Sequence, residues 1–104
     1  MGKTANEAVN LSPMAFEHID YNGRVLVLDP PLTITPFLEE DFYVLTEDSL
    51  GLYVFAQTRE QLAAEVAEQL VFSWDTYALE DPERLTASAR QLRDALRRRA
   101  REVA

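Results

Sequence analysis

The residues of this chain that are equipped for chemistry are acidic side chains in two short clusters. Glu39, Glu40 and Asp41 form one cluster, and Glu47 and Asp48 form the other. Paired carboxylates can act as the acid and base of glycoside hydrolysis or as ligands of two metal ions, but only when a cleft holds them at a fixed separation. Both clusters fall at predicted turns, where solvation alone accounts for them. We therefore expect neither cluster to be catalytic.

The remaining residue types offer no other catalytic arrangement. His18, the only histidine, lies on an alternating pattern in the first predicted strand and has only carboxylates as partners, which favours a structural role. The chain has no cysteine and three glycines, which excludes thiolate chemistry and leaves little room for a Gly-rich phosphate-binding loop. We predict a protein that is not an enzyme and that has no cofactor and no metal site.

Arginines near the C-terminus indicate a different chemistry, the binding of anions. In helical projection four of them form a ridge beside an apolar stripe that includes Leu85, Leu92 and Leu96. This arginine ridge consists of Arg90, Arg93, Arg97 and Arg101. A row of cations could follow a phosphate backbone, but neither a helix-turn-helix pattern nor an interleaved aromatic residue accompanies it.

The charge of the chain is divided unevenly between its body and this segment. Residues 1–83 carry 16 acidic groups against three basic ones, a net charge of −13, whereas residues 84–104 carry seven arginines against two acidic groups, a net charge of +5. An acidic body would repel DNA. We expect the ridge to flank an interface, within the chain or in a dimer, through Arg–Glu pairs; a partner-protein site and a nucleic-acid site are the alternatives.

Aromatic residues near the end of the long predicted helix are further candidates for binding. Phe72 falls among acidic residues, away from the apolar band, so it is either an isolated exposed aromatic or an anchor for a partner. Trp74 and Tyr77 lie in a band too wide for one sheet face to cover. The hypothetical partner or dimer interface comprises Phe72, Trp74, Tyr77, Leu92, Leu96, Arg90, Arg93, Arg97 and Arg101.

The first half of the chain has the pattern of an antiparallel sheet. Between residues 16 and 28, Asn22-Gly23 separates two strand-like runs and predicts a hairpin with a type I′ turn. Pro30-Pro31 is predicted to break the sheet, because neither residue can donate to a ladder. Three more strands are predicted at 32–37, 42–47 and 50–56, paired consecutively.

The second half has the pattern of two helices. Thr58 and Gln61 have the spacing of a capping box, and an apolar band predicts a helix over 58–79. Asp81-Pro82 predicts the start of a second helix over 82–102. The predicted fold is therefore α+β: an antiparallel sheet of three to five strands packed against one long helix, with a second C-terminal helix beside it or on a second subunit.

The length and the termini indicate how this fold is delimited. A chain of 104 residues fits one domain, predicted over 14–104 with the sheet at 14–56, and residues 1–13 are expected to be a flexible tail. A signal peptide is not recognisable, and no apolar run approaches the ~20 residues that span a bilayer. We expect a cytoplasmic protein that does not bind membranes.

A longer pattern covers the strand, corner and helix in the middle of the chain, "EEDFYVLTEDSLGLYVFAQTREQL". An Asp-Phe-Tyr-Val run from Asp41 precedes an acidic turn, Leu50 and Gly51 follow, and Thr58 comes seven residues after Gly51. Over about residues 32–70 this pattern resembles the HicB-like antitoxin domain. Ser49 replaces the usual proline and Ala56 a glycine. The family normally returns to a strand after one helix, whereas a second helix is predicted here.

The resemblance implies a noncatalytic protein. Family members have a degenerate ribonuclease-H-like sheet-plus-helix domain that binds and inhibits a small ribonuclease toxin, and they often dimerise. Some carry a DNA-binding module, which has no counterpart here. We therefore expect a homodimeric protein-interaction module whose partner is a small ribonuclease toxin. The alternatives are a nucleic-acid-associated regulator that uses the arginine ridge, or a homodimeric structural protein.

Overall fold

A computed structural model describes residues 8–103, and over this range the chain forms six strands and two α-helices. In chain order the strands are β1 (Met14–Tyr21), β2 (Arg24–Ile34), β3 (Phe37–Glu39), β4 (Phe42–Glu47), β5 (Leu52–Ala56) and β6 (Ala100–Val103). Helix α1 (Arg59–Ser73) follows β5, and helix α2 (Ala87–Arg99) precedes β6.

The first sheet contains both ends of the described chain, in the order β1-β2-β6 with antiparallel pairing. The predicted hairpin between β1 and β2 is confirmed: Asn22 and Gly23 both have positive φ, 53° and 77°, as a type I′ turn requires. Strand β6 lies on the other side of β2, where Leu28 is opposite Ala100 and Val25 is opposite Val103.

The prediction that Pro30-Pro31 breaks the sheet is wrong, because β2 continues through both prolines. On β1, Phe16 is opposite Leu32 and His18 is opposite Val27, so the single residue Glu17 faces the four residues 28–31 of β2. Within this irregularity β1 makes no demand for an N–H at either proline. The exposed prolines are therefore accommodated in the strand.

The second sheet is a meander in the order β3-β4-β5. The strand predicted at 32–37 is divided between β2 and β3 of different sheets. A short 3₁₀ turn, Asp48–Leu50, joins β4 to β5 and ends at Gly51, whose φ is +61°. A Cβ atom at Gly51 would also lie 3.3 Å from Leu92 Cδ2 of α2. Both backbone conformation and space therefore favour glycine at this corner.

Helix α1 begins where its capping pattern predicts. The Thr58 hydroxyl oxygen accepts a hydrogen bond of 3.1 Å from the Gln61 N–H. In the described part of the chain the Gln61 side chain does not return that bond, so half of the predicted capping box is present. A π-helical turn, Trp74–Ala78, continues α1 and brings the helical segment close to its predicted end.

The predicted bounds of the second helix are wrong at both ends. Residues 82–84 form a separate 3₁₀ turn, and α2 begins only after Thr86, whose hydroxyl oxygen accepts a hydrogen bond from the Ala89 N–H. At the other end Ala100 has extended backbone angles, and the chain enters β6. Pairing with the otherwise open side of β2 replaces the last helical turn that the local pattern predicted.

The predicted α+β class, with antiparallel strands, one long helix and a C-terminal helix, is confirmed, and the strands form two sheets of three. Leu62, Val66 and Leu70 of α1 are buried against both sheets in one continuous core. Helix α2 packs on the π-helical turn of the same chain. In the described range, no helix has the length and apolar character needed to cross a membrane.

The predicted flexible tail, residues 1–13, falls only partly in the described range: residues 1–7 lie outside it. Residues 8–13 belong to no helix or strand, yet several of them are attached to the domain. Arg59 Nη1 donates 2.8 Å hydrogen bonds to the carbonyl oxygens of Asn10 and Ser12, and the Asn10 N–H donates to the Tyr43 hydroxyl at 3.2 Å. For residues 10–12 the prediction of an unanchored tail is therefore wrong.

Candidate protein-interaction site

The acidic clusters lie in surface turns, where carboxylates meet water and backbone. Glu39, Glu40 and Asp41 surround the exposed turn between β3 and β4. Glu47 accepts hydrogen bonds from the Ser49 N–H and hydroxyl, at 3.3 and 2.7 Å, and so caps the 3₁₀ turn. Among residues 8–103 no group of three or more His, Cys, Asp or Glu side chains could hold a metal ion.

The arginine ridge binds backbone carbonyls of its own chain. Three of its members donate hydrogen bonds to the segment that joins the two helical regions. The bonds run from Arg90 Nε to the Pro82 oxygen at 2.7 Å, from Arg93 Nε to the Glu80 oxygen at 3.1 Å and from Arg97 Nη1 to the Ala78 oxygen at 2.9 Å. The last carbonyls of a helix lack intrahelical donors, and cations there also interact favourably with the helix dipole.

This arrangement corrects the expectation that the ridge makes Arg–Glu pairs. Its acceptors are carbonyl oxygens, and the one ion pair of the ridge in the described residues joins Arg93 to its neighbour Asp94 at 3.6 Å. Arg101 does not belong to the ridge, because it lies in β6, where it is exposed. The ridge therefore fastens α2 to the end of the preceding helical region.

The role of Arg97 leads to a stability prediction with a matched control. We expect Arg97→Ala to lower the free energy of unfolding by about 1 kcal/mol, because a charge-assisted hydrogen bond to the Ala78 carbonyl is lost at a partly exposed site. Arg98→Ala changes the same residue type at an exposed position that makes no such bond, and its effect should stay within about 0.5 kcal/mol. Urea denaturation of both variants measures the difference; equal losses would contradict this role.

A second fastening joins the β1–β2 hairpin to α1 and β6. Arg24 donates to both carboxylate oxygens of Asp75, at 2.6 and 2.7 Å, and to both of Glu102, at 3.0 and 3.1 Å. Glu102 also accepts a 3.1 Å hydrogen bond from Trp74 Nε1. The hydrogen bonds from Arg24 hold the pKa of Asp75 and of Glu102 below their ordinary values, and the two carboxylates raise the pKa of Arg24.

These pKa shifts give a pH dependence of known sign. Because both carboxyls have a lower pKa when folded, the unfolded chain takes up their protons first as pH falls, so their stabilising contribution is complete above the ordinary values of 3.8 and 4.5 and is lost below them. We expect the melting temperature of the wild type to fall more steeply from about pH 5 to pH 2 than that of Arg24→Gln. Arg84→Gln, at an exposed arginine, should follow the wild type. Parallel curves for wild type and Arg24→Gln would contradict the linkage.

The apolar members of the predicted interface are mostly used inside the chain. Trp74 is 6% exposed and Leu96 is 2% exposed, so both belong to the core and offer no surface to a partner. Tyr77 and Leu92 are half-buried and pack against the same core. The physical reason is that α2 covers the wide apolar band of the helical region within one chain.

Phe72 is the predicted interface residue that does lie at the surface, with 62% of its side chain exposed. Near it lies an aromatic surface that the sequence reading did not single out. Tyr53 and Phe55 of β5 are 54% and 55% exposed, and Phe42 of β4 meets Phe55 edge to face with ring centroids 5.5 Å apart. We define the Phe55 patch as Phe37, Phe42, Tyr53, Phe55 and Phe72.

The geometry of the second sheet creates this patch. Leu52, Val54 and Ala56 of β5 point into the core, so the alternation of the strand sends Tyr53 and Phe55 outward. Phe37 of β3 joins them through the row in which Val44 of β4 lies opposite both Phe37 and Phe55. The signal was present in "LYVFA", whose outward positions are both aromatic, whereas a solvated strand face usually carries polar residues.

A groove lies between the outer edge of β5 and α1. It has a volume of 590 Å³ and is lined by Tyr53–Phe55 on one side and by Glu65, Glu68, Gln69 and Phe72 of α1 on the other. The β1–β2 hairpin closes one end. We call this feature the edge groove.

Acidic residues surround the Phe55 patch. Glu39 and Glu40 lie beside it on the sheet face, and Glu65 and Glu68 lie along the edge groove. None of these four carboxylates forms an ion pair with the described residues. An apolar centre with an acidic border is the arrangement that suits a protein surface with apolar and basic groups.

Comparison of the chain with models of protein families, with curated proteins and with solved structures finds no match. The corner residues Gly51 and Thr58 act in the fold as described above, and Gln61 takes part in the helix cap. The Phe55 patch and its acidic border therefore carry the functional interpretation.

Proposed function

We propose that this protein is a noncatalytic protein-interaction module of the HicB-like type, which acts as an antitoxin by binding a small basic ribonuclease toxin through the Phe55 patch. The observation that carries the proposal is the grouping of exposed aromatic side chains on one sheet face. A cluster of large exposed aromatics is unusual on a solvated surface and is typical of protein interfaces, where aromatic residues are enriched.

The architecture around the patch supports the HicB-like part of the proposal. The resemblance implies a sheet-plus-helix domain, and the meander β3-β4-β5 followed by the Gly51–Thr58 corner and α1 has that order of elements. The resemblance also implies a return to a strand after the helical region, and β6 provides one, although α2 comes first.

Charge supports a basic protein as the partner. The acidic border of the patch adds to the −13 charge of residues 1–83, which attracts cations and repels nucleic acid. A nucleic-acid-binding function is less well supported, since three arginines of the ridge already donate to carbonyls of the chain.

The proposal is tested with the product of the adjacent reading frame. We expect that frame to encode a short basic protein whose expression arrests growth, and we expect coexpression of the present protein to restore growth and to yield a stoichiometric complex. Continued growth arrest despite folded, coexpressed protein would contradict the proposal, as would an adjacent frame that encodes no short basic protein.

A further inference from the structure

We infer that the open edge of β5 accepts a basic, extended segment of another protein as a fourth strand of the β3-β4-β5 sheet. This inference rests on the proposed function, because it specifies how a partner would occupy the Phe55 patch. Within the described residues β5 has a strand on one side only, so its other edge offers main-chain groups for pairing.

One hydrogen bond shows which main-chain groups face the groove. The Tyr53 N–H donates to Gln69 Oε1 of α1 at 2.8 Å, in the direction away from β4. N–H groups alternate in direction along a strand, so the Phe55 N–H points to the same side. The Gln69 side chain thus occupies the place that a carbonyl of an added strand would take. An edge protected by one amide can be exchanged for a strand without unfolding.

The dimensions of the edge groove match a short strand. The five residues of β5 extend over about 17 Å at the usual rise of a strand. One wall of the groove is the backbone of β5, and the other is the ridge of α1 that carries Glu65, Gln69 and Phe72 at helical spacing. A strand in this position would direct alternate side chains toward α1 and toward the exposed rings of Tyr53 and Phe55.

Charge identifies the occupant. Glu65 and Glu68 lie on the helical wall, and Asp75 of the same groove is already paired with Arg24. Lysine or arginine at alternate positions of an added strand would meet the two unpaired carboxylates. A second copy of β5 has no basic residue to offer, and two acidic grooves would repel each other. A basic segment with alternating apolar residues therefore fits better than a homodimer through this edge.

The first test uses a synthetic probe, the acetylated and amidated peptide Lys-Val-Lys-Val-Lys-Val-Lys with a fluorescent label. We expect saturable binding in fluorescence polarisation, a Kd that rises with salt, and no binding of the matched Glu-Val peptide. Glu65→Gln with Glu68→Gln should weaken binding at least tenfold, whereas the matched pair Glu17→Gln with Glu83→Gln should not. Absence of saturable binding up to about 1 mM peptide overturns the inference.

The second test isolates the backbone of β5. Phe55→Ala and Phe55→Pro both remove the ring, but only proline also removes the outward N–H, and an edge strand tolerates proline at such a position. We expect Phe55→Pro to bind the peptide about 5- to 10-fold more weakly than Phe55→Ala, the effect of one lost hydrogen bond. Equal affinities of these two variants would overturn strand addition.

A further variant keeps the inference testable if Phe55→Pro does not fold. Gln69→Ala frees the Tyr53 N–H, so peptide binding should tighten about 2- to 10-fold; weaker binding would overturn the inference. Sedimentation at several concentrations detects the other occupant, and a dimer that Phe55→Pro dissociates would assign the edge to a second copy.

The two proposals can fail separately. If the product of the adjacent reading frame binds Phe55→Pro and Phe55→Ala equally and Gln69→Ala changes nothing, strand addition is wrong while the antitoxin function stands. If the peptide binds as expected and that product does not bind at all, the antitoxin function is wrong while the strand-accepting edge stands.

Discussion

Replacement of Trp74 by alanine is expected to lower the free energy of unfolding by about 3–5 kcal/mol, the usual cost of truncating a buried aromatic residue. Trp74 is 6% exposed and packs where the end of the helical region meets α2, and its Nε1 atom donates to Glu102 of β6. A loss of this size is a large part of the total stability of a small domain, about 5–15 kcal/mol. Denaturation by guanidinium, followed by circular dichroism, measures it.

Two variants control for the separate contributions of Trp74. Trp74→Phe keeps an aromatic ring and removes the donor to Glu102, so it should cost much less than the alanine variant. Leu79→Ala truncates a side chain that is 56% exposed and should change stability by no more than about 0.5 kcal/mol. If Trp74→Ala were as stable as Leu79→Ala, Trp74 would not be the core residue described here, and the partner-interface hypothesis for it would return.

Replacement of Phe55 by alanine is expected to have the opposite profile, with a large effect on partner binding and little effect on stability. Phe55 lies at the centre of the Phe55 patch and contributes to both the sheet face and the edge groove. Central aromatic residues of an interface often cost 2 kcal/mol or more when truncated, so the Kd for the product of the adjacent reading frame should rise about 30-fold or more.

The control for Phe55→Ala is again Leu79→Ala, because the two side chains are almost equally exposed at 55% and 56%. Leu79 lies outside the patch and the groove, so its truncation should leave the Kd within about twofold of the wild type. Both variants should keep the melting temperature close to that of the wild type, which separates lost contact from lost folding. A Kd for Phe55→Ala that equals that of Leu79→Ala would remove the patch from the interface.

The features that could be predicted from the sequence are those set by neighbouring residues. Asn22-Gly23 specifies a hairpin because its turn needs two positive φ angles, and Thr58 marks the start of α1 because its hydroxyl can accept a free helix N–H. The period change between β5 and α1 likewise depends on local burial alone. Such signals act over a few residues, so these elements are found near their predicted positions.

The features that could not be predicted depend on distant parts of the chain. Residues 100–103 continue a helical pattern, yet they form β6 because β2 offers an unpaired edge more than 70 residues earlier. The arginine ridge was correctly read as one face of a helix, but its acceptors are carbonyls, which a search for opposite charges does not consider.

The candidate site shows the same division. Alternation in β5 indicates that Tyr53 and Phe55 point away from the core, but not whether another element covers them. Helix α2 covers Trp74 and Leu96 and leaves the outer face of the second sheet open. The predicted interface and the exposed aromatic surface therefore share only Phe72.

The central claim, that a partner binds at the Phe55 patch, is tested most directly by nuclear magnetic resonance on ¹⁵N-labelled protein titrated with the unlabelled product of the adjacent reading frame. We expect the amide signals of Tyr53, Phe55 and Phe72 to shift or broaden, while those of Arg90 and Arg97 on α2 keep their positions. Changes confined to α2, with the β5 signals unmoved in a complex that has formed, would contradict the claim.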